Sequence, residues 1–106
     1  MKRRDRSRTR WVLSLTEIFE RAFWTSGARH EDLMEILDAF EAAVRHDPRS
    51  CGIPHPDTAL NGVWIHESPP LARLPQVALL YTIDDETGRV VLHNLKITRE
   101  RNTPGR

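Results

Sequence analysis

The stretch QVALLYTIDDETGRVVLHNLKI, residues 76–97, decides the fold predicted from this sequence. Residues 76–83 and 89–97 are rich in Val, Leu, Ile and Tyr, residue types that favour strands. The acidic run before Gly88 is typical of a tight turn in which the glycine adopts a positive φ. The segment therefore predicts a β-hairpin in which Asp84 lies opposite Arg89.

Side chains alternate between the two faces of a strand, so this register assigns every residue of the hairpin to one face. One face is predicted to lie under helices, and it carries Val77, Leu79, Tyr81, Ile83, Val90 and Leu92. The other face carries Ala78, Leu80, Thr82, Val91, His93, Leu95 and Ile97. This second face is too apolar to be bare, so we expect neighbouring strands, a partner segment or self-association to cover it. The predicted partner-binding residues are Leu80, Val91, Leu95 and Ile97.

Upstream of the hairpin the apolar pattern changes its period. An alternation of two predicts a short first strand, after which Thr16 can cap a helix. A longer amphipathic helix follows and ends before Pro48, because a residue that precedes proline disfavours the helical region. The predicted order is strand 10–15, helices 17–24 and 29–46, a loop over 48–62, and strands 63–67, 76–83 and 89–97. The predicted fold class is α+β: strand–helix–helix followed by a three-stranded antiparallel meander.

Composition indicates one soluble domain with charged ends. The chain has 106 residues, of which 39% are hydrophobic and 29% charged, values that exclude collagen-like, low-complexity and membrane-embedded classes. The net charge of +1 is unevenly distributed, because residues 1–10 carry six basic groups and one acidic group, whereas residues 11–98 carry seven basic and thirteen acidic groups. We predict a basic disordered arm over 1–9, one domain over 10–99 and a flexible tail over 100–106.

The basic ends suggest a role in nucleic-acid binding. Cationic side chains neutralise phosphates and give a salt-dependent affinity. The alternative is that like charges only keep a short tail solvated. The predicted nucleic-acid-binding residues are Arg4, Arg6, Arg8, Arg10 and Arg99.

Other sequence features predict a cytoplasmic protein without a cofactor. The lone Cys51 cannot form an internal disulfide, and the basic N-terminus is not followed by the apolar stretch of a secretory signal. No apolar window approaches the roughly 18 residues of a membrane span. We find no zinc motif and no phosphate-binding glycine loop, and therefore predict no metal, no cofactor and no membrane partner.

Between residues 10 and 99 the chain resembles the RelE/ParE superfamily of bacterial type II toxins. The resemblance depends on the order of elements and on three stretches of sequence. These stretches are His46-Asp47-Pro48-Arg49, Leu60-Asn61-Gly62-Val63-Trp64, and the hairpin strands Val77–Asp85 and Val90–Leu92. The resemblance implies a RelE/ParE-like α+β domain that is paired with a cognate antitoxin.

Two branches of this superfamily imply two functions. In the nuclease branch, the sheet meets messenger RNA on the ribosome and cleaves it without a metal, whereas members of the other branch act on DNA gyrase. This sequence departs from the nuclease pattern, because Ala78 and Ile97 stand where arginines are common and the only tyrosine, Tyr81, is not C-terminal. The acidic body is a further departure.

Three side chains are candidates for catalysis in the nuclease interpretation. His66 and His93 can act as acid or base near neutral pH, and Arg73 can bind phosphate oxygens. If Arg73 replaces the arginine missing at Ala78, the three side chains should converge on one groove. The alternative for each is an ordinary strand or surface role. The predicted function is that of a toxin that inhibits translation by ribosome-dependent mRNA cleavage. One alternative is a non-enzymatic toxin of the same fold, which inhibits gyrase or only binds its antitoxin. The other alternative is a small nucleic-acid-binding module.

Overall fold

A computed structural model describes residues 11–100 as two helices and a five-stranded sheet. The strands are β1 (Val12–Leu15), β2 (Ile53–Pro54), β3 (Val63–Glu67), β4 (Gln76–Asp84) and β5 (Arg89–Arg99). The helices are α1 (Glu17–Thr25) and α2 (His30–Val44). The predicted arm over 1–9 and all but the first residue of the predicted tail over 100–106 lie outside the described residues.

The sheet has the strand order β1-β5-β4-β3-β2. Strands β3, β4 and β5 form the predicted antiparallel meander, and Asp84 pairs with Arg89 as expected. β1 pairs with β5 in parallel, so the first strand lies beside the last, and the two-residue β2 extends the opposite edge inside the predicted loop. The α+β class is therefore confirmed, with β2 as an addition.

Both helices lie against one face of the sheet and enclose the core there. The Thr16 side chain accepts a hydrogen bond from the Phe19 amide, which caps α1 as the sequence predicted. α2 buries its apolar side together with Asp32 and exposes Glu31, Glu35 and Asp38, as its amphipathic pattern requires. The core residues with at most 1% exposure are Phe19, Leu33, Phe40, Val44, Val77, Leu79, Tyr81, Val90 and Leu92.

The β4–β5 ladder contains two irregularities that change which residues face the helices. Tyr81 pairs with Leu92 but Leu80 pairs with Asn94, so His93 is an extra residue in β5. A β-bulge of this kind shifts the alternation of side chains by one residue. A second irregularity lies between Gln76 and Val77, where the ladder skips Thr98 of β5.

The first bulge makes the predicted sheet face wrong for two of the partner-binding candidates, Leu95 and Ile97. After His93, Leu95 pairs with Leu79 and Ile97 pairs with Val77, so both lie on the helix face rather than the exposed one. Leu95 is only 7% exposed and belongs to the core, against which Ile97 packs. The predicted exposed-face positions of Leu80 and Val91 are correct.

The segment between α2 and β3 is held against the sheet by buried contacts. The Tyr81 hydroxyl donates a 2.8 Å hydrogen bond to the Pro48 carbonyl oxygen. Gly52 passes so close to the β3 backbone that a Cβ there would overlap the Ile65 carbonyl oxygen. Only glycine permits this approach of two backbones.

Candidate functional site

The sheet face opposite the helices, here called the open face, holds the candidate site. No helix among residues 11–100 lies against it. Its centre is apolar and half-buried, whereas one end is polar and exposed. The central residues are Ile65, Leu80, Thr82 and Val91, and the polar end contains Glu67, Gln76, Asn94, Lys96 and Arg99.

Two cations lie together at the polar end, here called the basic corner and defined by Gln76, Lys96 and Arg99. Lys96 pairs with Ala78 and Arg99 pairs with Gln76, so the backbone positions of the two residues are about 7 Å apart along the sheet. Both are exposed, and the Arg99 Nε atom lies 3.5 Å from the Gln76 Oε1 atom. An arginine and a lysine at this spacing can bind phosphate groups, the arginine through its planar fork and the lysine as a compact charge.

The basic corner depends on both bulges. Without the His93 bulge, Lys96 would point into the core and Ile97 would be exposed. The second irregularity brings Arg99 opposite Gln76, which keeps it on the open face with Lys96. Arg99, one of the predicted nucleic-acid-binding residues, therefore lies on the open face.

His93 also lies on the open face, beside Thr82. The His93 Nε2 atom and the Thr82 hydroxyl oxygen are 2.9 Å apart, and the His93 carbonyl accepts a 3.3 Å hydrogen bond from the Thr16 hydroxyl. The ring is half-buried. These contacts fix the histidine at the bulge, near the middle of the open face.

His66 lies on the opposite side of the sheet. It pairs with the core residue Leu79, and its ring packs at a tilt against Phe40 with a centroid distance of 4.9 Å. Its Nδ1 atom is 2.6 Å from the Cys51 carbonyl oxygen, which can only accept, so this nitrogen carries the proton. These contacts give His66 a structural role in joining the loop, α2 and β3.

Arg73 is likewise on the helix side, where it forms a two-contact ion pair with Glu35 of α2. The two hydrogen bonds measure 3.0 and 2.6 Å. The hydrogen-bonded guanidinium lowers the pKa of the Glu35 carboxyl, and the same hydrogen bonds raise the pKa of Arg73. Its charge is thus already matched by a carboxylate.

The expected convergence of His66, Arg73 and His93 on one groove is therefore wrong. Only His93 lies on the open face. The physical reason is the β3–β4 register, which directs His66 toward the helices, together with the connection that carries Arg73 to α2. Of the predicted nucleic-acid-binding residues, Arg4, Arg6, Arg8 and Arg10 lie outside the described residues.

Lys96 is the site residue that sequence reasoning missed. The regular register placed it in the interior, but the sequence contains a signal against that register. Leu92 and Leu95 are three residues apart, a spacing that no regular strand can direct to one face. A regular register misses the bulge, and for that reason it also misses the exposed position of Lys96.

Other reactive groups of the described chain show no built catalytic environment. Partial burial raises the pKa of the Cys51 thiol, which makes it a weaker nucleophile at neutral pH. Within residues 11–100, no cluster of three or more His, Cys, Asp or Glu side chains has the geometry to hold a metal ion. No helix in the same range is long and apolar enough to cross a membrane.

Comparison with known proteins identifies the fold. No protein-family model and no curated protein sequence matches the chain. Among solved structures, it is similar to one chain of the toxin–antitoxin complex RelBE2 from Mycobacterium tuberculosis, with a TM-score of 0.63 and 19% sequence identity. The alignment covers 83% of this chain and 98% of the other. The chain therefore has the RelE-like fold that its order of elements predicted.

Proposed function

We propose that this chain is the toxin of a toxin–antitoxin pair and that its open face meets RNA. The observation that carries the proposal is the fold match, which extends over almost the whole of a chain from a toxin–antitoxin complex. A second observation supports the RNA-facing part. Two exposed cations, Lys96 and Arg99, share one end of the exposed sheet face, and no carboxylate within residues 11–100 forms an ion pair with either.

In this proposal the open face binds and cleaves messenger RNA on the ribosome. Lys96 and Arg99 hold phosphate oxygens and stabilise the charge that develops during attack. His93 removes the proton from a ribose 2′-hydroxyl, whose oxygen then attacks the adjacent phosphate while the 5′-oxygen departs as the leaving group. Lys96 lies about 10 Å along the strand from His93, a gap that the long lysine side chain shortens.

A non-enzymatic toxin of the same fold is the second candidate. The placement of His66 and Arg73 on the helix side favours it, because the open face then has one histidine and no second acid or base among the predicted catalytic residues. Such a protein would act by binding, with gyrase or its antitoxin as the partner, and its apolar centre at Leu80 and Val91 would supply contact area.

One experiment separates the two candidates. The chain is expressed in a bacterial host, and messenger RNA ends are mapped on translating ribosomes. The double variant K96A/R99A should abolish new RNA ends if the nuclease proposal holds. The control R29A/R45A removes the same number of exposed cations from the helix side. Growth arrest without new ends, unchanged by K96A/R99A, would leave only the binding function.

Binding to single-stranded RNA gives an independent measurement. The logarithm of the binding constant falls with the logarithm of salt concentration, by about 0.7 for each phosphate contact. Removal of Lys96 and Arg99 should therefore reduce this slope by about 1.4. Substitution of Arg4, Arg6, Arg8 and Arg10 by serine tests the arm in the same assay, and an unchanged slope would make the arm a solvated tail.

The toxin assignment itself has a separate test. Co-expression with the small reading frame adjacent to the gene should restore growth and yield a stable complex. A protein that neither arrests growth nor binds the product of either neighbouring frame is not a toxin of this kind.

A further inference from the structure

A cavity of about 280 Å³ lies on the helix side of the sheet, between α2 and the segment 68–75 that joins β3 to β4. It is here called the α2 cavity, and its apolar walls are Ile36, Phe40, Leu71 and Leu74. Ile36, Phe40 and Leu74 are at most 6% exposed, whereas Leu71 is 44% exposed, so the cavity opens to solvent beside Leu71. The sheet separates this cavity from the open face, and its role does not depend on the function proposed for that face.

The volume of the α2 cavity is suited to a small organic molecule. An apolar cavity of about 150 Å³ is large enough to bind benzene. The α2 cavity, at about 280 Å³, therefore has room for a benzene ring that carries a short substituent at each end. Small-molecule sites combine apolar walls with a few polar groups that fix the orientation of the ligand. The polar groups that line the cavity thus specify the chemistry of its occupant.

The first of these polar groups is an unused hydrogen-bond acceptor on His66. The His66 ring lines the cavity, and its Nδ1 atom carries a proton because it is 2.6 Å from the Cys51 carbonyl oxygen. In a neutral ring with that proton, the other nitrogen, Nε2, is an acceptor. No group within residues 11–100 donates a hydrogen bond to Nε2.

The second polar group is an unused donor on Ser68. This residue is 2% exposed, and its Oγ atom accepts a 2.8 Å hydrogen bond from the Val77 amide. The hydroxyl hydrogen of Ser68 has no acceptor among the residues that the structure describes, and such a buried donor is costly to leave unpaired. Residues two apart in an extended chain direct their side chains to one side, about 7 Å apart. One ligand oxygen between His66 and Ser68 could therefore contact both side chains.

The charges beside the cavity favour a neutral ligand. Glu35 lines the cavity, but both of its carboxylate oxygens already accept hydrogen bonds from Arg73. An ionic ligand would have to displace one partner of this pair or lose its hydration without compensation, which is unfavourable. A neutral ligand avoids both costs.

From these observations we propose that the α2 cavity binds a neutral aromatic alcohol of the phenol type. The aromatic ring of the ligand packs among Ile36, Phe40 and Leu74. The rings of Phe40 and His66, with centroids 4.9 Å apart and planes tilted by 51°, offer it a face and an edge. The ligand hydroxyl donates its hydrogen to His66 Nε2, and its oxygen accepts the hydroxyl hydrogen of Ser68.

The first test compares three probes of similar size on the ¹⁵N-labelled full chain. 4-Ethylphenol has a donor and an acceptor, 4-ethylanisole has only an acceptor, and 4-ethyltoluene has neither. 4-Ethylphenol should bind with a dissociation constant of about 1 mM, and each lost hydrogen bond should weaken binding by about fivefold. Simple partition into an apolar cleft would give the reverse order, because the three probes become more apolar along the series.

The location of binding is read from the same spectra. The amide resonances of Ser68 and Leu71 should shift, whereas that of Lys96 on the open face should not. Shifts confined to other parts of the chain, the reverse order of affinity, or no binding by 4-ethylphenol would each overturn the proposal. The last result would mean that the cavity holds only water.

A matched pair of helix variants tests the cavity without removal of any hydrogen bond. Ala39 is exposed on α2 and lines the cavity, whereas Ala42 is exposed on the same helix and does not. Ala39→Phe should fill the mouth of the cavity and abolish the shifts caused by 4-ethylphenol, and Ala42→Phe should leave them unchanged. Thermal denaturation shows that both variants are folded. Unchanged binding by Ala39→Phe, or an equal loss in both variants, would overturn the proposal.

The preference for a neutral ligand has its own probe. 4-Ethylbenzoate has the same ring and ethyl group with a carboxylate in place of the hydroxyl, and it should bind at least tenfold more weakly than 4-ethylphenol. Tighter binding of 4-ethylbenzoate would show that Arg73 exchanges Glu35 for the ligand, and it would overturn the assignment of a neutral alcohol.

Discussion

Substitution of Leu95 by alanine tests the bulge on which the candidate site depends. Leu95 is 7% exposed and lies opposite Leu79 in the core. Removal of a buried leucine side chain beyond Cβ costs about 2 to 5 kcal/mol in the free energy of unfolding, and we expect about 3 kcal/mol here. In a domain of this size, that loss lowers the melting temperature by about 12 to 24 °C.

The adjacent residue provides the matched control. Lys96 is exposed on the other face, so Lys96→Ala should change the free energy of unfolding by no more than about 0.5 kcal/mol. Urea denaturation followed by circular dichroism measures both variants, and equal denaturant slopes would show that the midpoints report stability. In a regular strand without the bulge, the two residues would exchange faces. A loss below about 1 kcal/mol for Leu95→Ala, with a larger loss for Lys96→Ala, would therefore refute the register and the basic corner together.

Three further predictions concern the segment that joins α2 to β3. Gly52→Ala should lower the free energy of unfolding by about 3 kcal/mol in urea denaturation, because the new Cβ overlaps a β3 carbonyl and lies 2.9 Å from the Tyr81 hydroxyl oxygen. A change near zero would show that the two backbones can separate. Tyr81→Phe should lower the free energy of unfolding by about 1 to 3 kcal/mol, since it leaves the buried Pro48 carbonyl without its donor, whereas unchanged stability would mean that water replaces the hydroxyl. Arg49 donates two hydrogen bonds to Asp85, of 3.1 and 2.7 Å, and lowers the pKa of that carboxyl, so Arg49→Ala should raise the Asp85 pKa in an NMR titration. A carboxyl whose pKa is lowered by folding stabilises the protein above its unfolded pKa, and this stabilisation is lost as the pH falls through the folded pKa. The contribution of Asp85 should therefore disappear only in acid. An Asp85 pKa unaffected by Arg49→Ala would contradict the ion pair.

The local sequence pattern is sufficient to predict the helices and strands. The alternation in β4, the Thr16 cap and the amphipathic side of α2 each specify structure within a few residues, because strand and helix periods determine which side chains can be buried together. The hairpin turn was equally local, since Asp84 and Arg89 pair across a short connection. These features needed no information about distant residues.

The location of the site depends on strand register and on contacts between residues far apart in the sequence, which the local pattern does not determine. The face on which His66 lies is set by its pairing with Leu79, which a long proline-rich connection leaves undetermined in the sequence. Arg73 can form its ion pair with Glu35 only after that connection has folded against α2. The spacing of Leu92 and Leu95 indicates the His93 bulge, whereas a period of two along the whole strand predicts a regular ladder.

The parallel pairing of the first strand with the last affects how the chain folds during its synthesis. The Thr16 hydroxyl bonds to the His93 carbonyl 77 residues later, so the edge of the sheet closes through contacts of high sequence separation. Such contacts form slowly, because a long loop must close before they contribute any stability. During synthesis, β1 emerges first and stays without its neighbour until β5 has been translated. Both cations of the basic corner lie in β5, which is translated after the other four strands of the sheet. A nascent chain therefore lacks both a complete sheet and a complete open face until β5 has been translated.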